Sequence, residues 1–416
     1  MRPLRHLVNQ ALPLTALAMP GTRRAMSSKT PTPVSFTNHT EAFKGAPTGS
    51  LLRELFLFKV FGTEALKYIG PPAIHAIVKH ELPIAKQVAE YFLAQQFSGG
   101  RGFKETLPVI QRLAARSVGT VLDLASEGQT TDLEFEETLR KTREMISFSS
   151  GETAVQFVAI KATGLTPFES LKTGATLPPA FKARLAALAH HALNCRQSIF
   201  IDAEQSQIQG AIREAGKEVM ATANKTFPTV WPTYQAYLVD CESQLREDIQ
   251  WARNLGVMLP LKLVRGAYMG EEREVGKTIG EDIVFPNKAE TDACYDACMA
   301  ICMENLDIVH LYAGTHNQNS LSLLLSLMEK HNIPDQDPRV RVGQLLGMGD
   351  HLTFNIAKRV CATKYVPYGP MEDGLSAYLM RRSAENWDLF SGAKTESALR
   401  TREIFHRMKI SWTSPS

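Results

Sequence analysis

The chain has 416 residues, 44% hydrophobic and 21% charged, which excludes disorder along its whole length and leaves enough apolar material for one large core plus a smaller attached region. Its 46 Lys and Arg stand against 43 Asp and Glu, a net charge of +3, too near neutrality for a broad nucleic-acid footprint. Six cysteines are too few for a secreted disulfide framework, and Cys294, Cys298 and Cys302, spaced every four residues, read as a stripe of small buried groups on one helix rather than a zinc site.

Residues 1–40 carry Arg2, Arg5, Arg23, Arg24 and Lys29, several Ser and Thr, and no acid. That is the chemistry of a mitochondrial transit peptide; a secretory signal would place a small-residue cleavage site where Arg23 and Arg24 stand. No run reaches the roughly 18 uncharged apolar residues of a spanning helix. The most apolar candidate, Leu51 to Phe61, is broken by Arg53, Glu54 and Lys59, so the expected mature protein is soluble or peripheral to a membrane. Its stripe of Leu51, Leu52, Leu55, Phe56, Phe58 and Val60 can pack on the core or rest on a lipid surface. Residues 41–115 read as helices, among them 64–68 and 84–96, and form an N-terminal helical arm without a strand.

From residue 116 to the end, short β-branched or aromatic runs alternate with helical patterns, the rhythm of repeated βα units. Eight runs stand out, at 117–125, 155–161, 197–204, 229–237, 259–266, 307–314, 339–347 and 364–369. Between them Pro179 to Arg196 shows an apolar stripe of Phe181, Leu185, Leu188, Ala189 and Leu193 against Lys182 and Arg184. Eight strands with helical returns close into a (β/α)8 barrel of the TIM type, an α/β fold, occupying 116–416. The rival, a doubly wound open sheet, usually announces a dinucleotide by GxGxxG after its first strand, and this chain has no GxGxxG.

In such a barrel chemistry sits at the carboxyl ends of the strands. Polar residues gather there on all eight: Asp123 with Glu127, Lys161, Asp202 with Glu204, Gln235, Arg265 with Tyr268, Thr315 to Asn317, Gln344, and Tyr365. One solvated strand end is ordinary, but eight point to a site. After the last strand the helical segment SAYLMRRSAEN places Arg381 and Arg382 about 100° apart around a helix, so both reach one carboxylate only if that helix lies across the barrel mouth. Glu385 can orient them, although the motif taken alone reads first as an ordinary charged helix face.

In order stand LDLASE (122–127), VAIKATGL (158–165), FIDAE (200–204), YQAYL (234–238), LKLVRGAY (261–268), GTHN (314–317), GQLLGMGD (343–350), KYVPYGP (364–370) and YLMRRSAEN (378–386). With these the chain resembles the proline dehydrogenases, or proline oxidases, and among them the monofunctional mitochondrial enzymes of eukaryotes. The resemblance implies an FAD-containing barrel with an extra helix over its mouth, which oxidises L-proline to Δ1-pyrroline-5-carboxylate by hydride transfer to flavin. It also implies a matrix protein, associated with the inner membrane, that passes electrons to membrane quinone.

Residue by residue, the resemblance implies that Arg381 and Arg382 bind the proline carboxylate, and that Glu127 pairs with Arg381. Asp123 joins the same strand-end group. Lys161 and Asp202 sit beside substrate and flavin, with Asp202 orienting Lys161. Tyr365, Tyr378, Leu263 and Tyr268 wall the five-membered ring. Gln235, Lys262, Val264, Gly266, Thr315, His316, Asn317, Gln344 and Glu385 hold FAD, with Lys288 and Thr291 near its phosphates. Bacterial members carry Arg where Lys262 stands and Lys where Arg265 stands.

The chemistry gives these groups work. Hydride leaves the ring carbon only once the amine has lost its proton, and exclusion of water together with Arg381, Arg382 and Lys161 disfavours the ammonium. Apart from a catalytically silent barrel serving as a binding or scaffold module, against which the full set of strand-end polar residues argues, two rivals stand beside this reading. One keeps the fold and takes 4-hydroxyproline, against which Tyr365 argues, since members preferring that substrate tend to carry Ser there. The other is a barrel aldolase with Lys161 as Schiff-base amine.

Overall fold

The computed structural model describes residues 33–61, 91, 93–125, 129–172, 176–376, 378–379 and 393–413. Residues 1–32 of the expected leader therefore lie outside the described residues, as do the helix expected at 64–68 and most of that expected at 84–96.

Eight parallel strands close in sequence order: β1 Val118–Leu124, β2 Val155–Ile160, β3 Ser198–Ile201, β4 Val230–Gln235, β5 Leu259–Val264, β6 Val309–Gly314, β7 Val340–Leu345 and β8 Cys361–Tyr368. β1 completes the ring by pairing with β8 from Val118 opposite Ala362 to Leu124 opposite Tyr368. Each strand falls within or beside the run that predicts it, and β8 begins three residues before its run. The helix expected at 179–196 spans Pro179–Asn194. Proline at its first position is tolerated because no intrahelical N–H is needed there.

Side chains of successive strand residues alternate between the barrel interior and the helical shell. The interior row carries an aromatic layer of Phe157, Phe200, Trp231 and Tyr312, packed with Val121 and Ala159. Phe157 and Phe200 stack at 4.3 Å, and Trp231 meets Phe157 edge-on at 5.0 Å. Gly343 makes room for this layer, because a Cβ there would fall 1.7 Å from the Tyr312 hydroxyl. Toward the amino ends Arg341 donates to the Gln156 side chain, and His310 packs edge-on against Trp231. These aromatics fill the interior of the barrel at their level.

The outward row packs the helices through a large core that includes Leu122, Val158, Ile199, Leu261, Leu263, Leu311 and Val366. Cys294, Cys298 and Cys302 are all buried along the helix Lys288–Glu304, as their spacing predicts. Described residues of the N-terminal region form helices His39–Phe43, Thr48–Phe61 and Phe103–Ala114 and no strand. Phe43 and Leu51 pack on Leu399 and Ile404 of the helix Ala393–Thr413. Of the apolar stripe on Thr48–Phe61, Leu51 is buried while Leu52 and Phe56 face solvent. No described helix is long and apolar enough to cross a membrane.

Candidate active site

Past the aromatic layer, toward the carboxyl ends, the interior turns polar. Asp202 follows β3 directly, and each of its carboxylate oxygens takes a donor: Oδ1 accepts from the Lys262 ammonium on β5, and Oδ2 from the Tyr365 hydroxyl on β8 at 2.7 Å. The Lys262 Nζ also stands 5.0 Å from the Phe200 ring centre and 5.3 Å from that of Tyr365, where the electron-rich faces favour a cation. Burial, then the charges of Asp123 and Asp202, push the Tyr365 phenol well above its ordinary value. It therefore keeps its proton and acts as a donor.

Lys161, the first residue after β2, places its ammonium 5.8 Å from the Tyr378 ring centre. Tyr378 is buried among Leu93, Phe97, Ala125, Met348 and Leu375, and lies near enough to Tyr365 to act on its phenol. Asp123 is buried near the end of β1. Six side chains from five strand ends and the segment after β8 thus meet in the barrel mouth: Asp123, Lys161, Asp202, Lys262, Tyr365 and Tyr378. Asp123, Lys262 and Tyr378 are buried, which strengthens the charge interactions there relative to open water.

Glu204 supports this group from beneath the β3 loop. Its carboxylate accepts from the Thr163 backbone N–H at 3.0 Å and the Thr163 hydroxyl at 2.5 Å, tying the loop that carries Lys161 to the one that carries Asp202. Burial raises its pKa, and the two Thr163 bonds oppose that rise. Gln235 continues the chain, donating to the Glu204 carbonyl at 2.9 Å and accepting from the Tyr237 hydroxyl at 3.2 Å.

A second polar group lies beyond β5 and β6. The Arg265 guanidinium donates to Asp292 at 2.6 Å, to the Thr315 hydroxyl at 2.8 Å and to the Ser320 hydroxyl at 2.8 Å, and packs 4.0 Å over the Tyr295 ring. The Lys288 ammonium and the Asn317 amide also reach Asp292. Asn287 caps the helix Lys288–Glu304 and Asn317 caps Gln318–Lys330, so two helix N-termini face one neighbourhood. Two cations and two helix N-termini form a donor set suited to a pyrophosphate. Gly266, at φ +107°, lets the chain turn from β5 into this group, and a Cβ there would fall 1.7 Å from the Tyr237 ring. Val264 closes against Gly314, where a Cβ would come within 3.1 Å of the Val264 methyl.

One assignment changes, and other expected site residues take the places described next. Leu263, expected to wall the substrate ring, has no exposed surface and packs in the helix-side core, because strand alternation that sends Lys262 inward sends Leu263 outward. Asp202, expected to orient Lys161, accepts from Lys262 and Tyr365. Gln344, expected at the flavin, is buried, donates to the Thr315 carbonyl at 2.9 Å and accepts from the Thr353 hydroxyl at 2.7 Å, which makes it a brace for the β6 loop. His316 accepts from the Leu345 backbone N–H at 3.1 Å. Thr291 is buried with its hydroxyl on the Asn287 carbonyl. Tyr268 is half-buried at the start of the helix Met269–Ile279.

Arg381, Arg382, Glu385 and Glu127 lie outside the described residues. Sequence reasoning gave no task to Asp292 or Ser320, since an acid in a helix's first turn and a serine in another carry no signal until Arg265 reaches both. The fork of Arg265 was visible only as an arginine past a strand.

Residues 106–394 match the family described as proline dehydrogenase. The chain is 31% identical over 325 residues to the carbapenem antibiotics biosynthesis protein CarD of Pectobacterium carotovorum subsp. carotovorum, covering 75% of this chain and 84% of that protein. It is 35% identical to human proline dehydrogenase 1, mitochondrial, and 33% identical to hydroxyproline dehydrogenase of Bos taurus, in each case over 54% of this chain, and over 38% and 50% of theirs. The chain thus spans half or less of the lengths of these two animal relatives. Among solved structures, that of proline utilization A from Bdellovibrio bacteriovorus inactivated by N-propargylglycine superposes with a TM-score of 0.68 at 21% identity, over 85% of this chain and 38% of that one. At that identity the likeness speaks to the fold.

Proposed function

Because the chain belongs to the proline dehydrogenase family, we propose that it is an FAD-dependent oxidoreductase that converts L-proline to Δ1-pyrroline-5-carboxylate and hands the electrons to a membrane quinone. The observation that carries this reading is Asp202 held between Lys262 and Tyr365 at the carboxyl ends of β3, β5 and β8.

The residues present fit the cofactor. Arg265, Lys288 and the two capped helix N-termini suit its pyrophosphate, while Lys262 supplies positive charge at the mouth. Bound FAD would supply the two-electron acceptor. This chain's own groups have the task of preparing the substrate. Lys161 and Lys262 set positive charge beside the amine and favour its neutral form. With both oxygens already accepting, Asp202 orients Lys262 and Tyr365 rather than taking the amine proton. Tyr365 holds its proton on Oη and presents a fixed ring face to the substrate. Arg381 and Arg382 would clamp the carboxylate, where paired forks suit two parallel hydrogen bonds.

Mitochondrial location and peripheral attachment to the inner membrane belong to the same proposal, supported by the leader composition and by relatives named as mitochondrial. Anaerobic addition of L-proline to the purified protein tests the core of it: flavin absorption bands should bleach. A protein without flavin bands, or one whose bands ignore proline, refutes the reading. Relatives named hydroxyproline dehydrogenase make 4-hydroxyproline the rival substrate, and competition in the same assay, with a Tyr365→Ser variant beside the wild type, ranks the two.

A further inference from the structure

Outside the barrel mouth, one cluster of chemically capable side chains has no part in this reaction. Cys241 opens the helix Cys241–Leu255 after β4, and Cys294 and Cys298 lie one turn apart on the helix Lys288–Glu304. All three are free and buried, and their sulfurs lie within 4.8 Å of one another. Cys294 and Cys298 are separated by 4.0 Å. A metal held by three sulfurs in a plane at ~2.3 Å from each would set them about 4.0 Å apart. Cys302, a further turn along, is equally buried but stands outside the trio.

We propose that Cys241, Cys294 and Cys298 form a binding site for one thiophilic d10 metal ion, Zn(II) or Cu(I). The ligand set is all sulfur, which selects soft ions over Mg(II) and Ca(II). The Glu242 backbone N–H, in the first turn of its helix, donates toward the Cys294 sulfur. A groove between the helices Ser206–Ala223 and Cys241–Leu255, lined by Arg213 and Asp248, reaches Cys241. Zn(II) would complete a tetrahedron with water from that groove, whereas Cu(I) is satisfied by three sulfurs. In either case each thiol releases its proton to solvent, so three protons leave per ion and affinity rises with pH.

The consequence is structural. The two helices flank the segment where Leu238 bridges Val284, and the second of them also carries Lys288 and Asp292. A metal there would staple the helix after β4 to the helix that bears the anion-binding group.

The test uses the full chain, purified under reducing conditions and stripped with chelator. Cd(II) is titrated as the probe, and Zn(II) and Cu(I) are added in separate arms, with bound metal counted by mass spectrometry after desalting. One Cd(II) per chain with a near-ultraviolet sulfur-to-metal absorption band is expected, weakened at least tenfold in Cys241→Ser and Cys298→Ser and unchanged in Cys361→Ser. Bound Cd(II) should also raise the melting temperature of the wild type, a measurement that needs no variant to fold. No sulfur band, equal uptake by a Cys241→Ser, Cys298→Ser double variant, or a melting temperature indifferent to Cd(II) overturns the proposal.

Discussion

Two buried lysines, one facing into the barrel and one away from it, show how strand alternation divides chemistry from architecture. Lys262 on β5 points inward and meets Asp202 and the aromatic faces of Phe200 and Tyr365 in the mouth. Lys364 on β8 points outward, is 1% exposed, and spends its ammonium on the carbonyls of Leu345 and Met348 and on Asp350 at 2.8 Å. Behind it Asp350 lies 3.8 Å from Arg400, which pairs with Glu54 at 3.0 Å and Glu396 at 2.9 Å. That network joins the helix Thr48–Phe61 to the helix Ala393–Thr413 on the outside of the barrel. Both lysines are paired strand residues of the same chemistry, yet only the inward one can face a substrate.

The comparison breaks if the two lysines respond alike. Lys364→Met leaves Asp350 buried beside an incomplete network, and should cost about 3–5 kcal/mol of stability with turnover per folded molecule retained. Denaturant midpoints and active-site titration separate the two quantities. Lys262→Met should lower kcat about 10²–10³-fold while the protein still melts cooperatively; Lys262→Arg, which keeps the charge beside Asp202, should recover most of the rate, and an equal loss in both variants would remove charge as the cause.

The next prediction sharpens the alternation argument within one strand. Leu263→Ala should lose about 2–5 kcal/mol of stability as a cavity opens in the helix-side core, with the KM for proline unchanged. A raised KM at full stability would return Leu263 to the substrate wall.

The smallest effect belongs to the amino ends of the strands. Burial, with Arg339 and Arg341 nearby, lowers the pKa of His310 to about 4. Its folded value lies below the unfolded value near 6.5, so the unfolded chain binds the extra proton between them. The contribution of the neutral ring is therefore complete above pH 6.5 and lost as pH falls from 6.5 to 4. His310→Gln should flatten stability across that window, by on the order of 1–3 kcal/mol. A wild-type profile already flat there would sink this assignment.

Much of this was legible before any coordinates. Val155–Ile160 and Val309–Gly314 announce themselves by β-branched and aromatic runs, and the eightfold alternation with helices leaves few topologies. Polar residues at strand ends marked the mouth, and Lys161, Asp202, Tyr365 and Tyr378 are indeed brought to one end of the barrel. Pairing was not legible. The sequence places Lys161 and Lys262 each at a strand end, and nothing in local pattern says which ammonium Asp202 takes. Leu263 shows the same limit, since its neighbours in the motif are functional while its own parity sends it to the core.

By itself the sequence determined the element order, the closed parallel sheet and the end of the barrel at which polar chemistry collects, because these follow from short-range periodicity and from which residue types tolerate water. Only the tertiary structure decided that Asp202 is shared by Lys262 and Tyr365, that Arg265 reaches Asp292 and Ser320, and that Cys241 joins two cysteines more than fifty residues away. Those meetings depend on strand register and helix packing, which are properties of the whole closed sheet and not of any local stretch of chain.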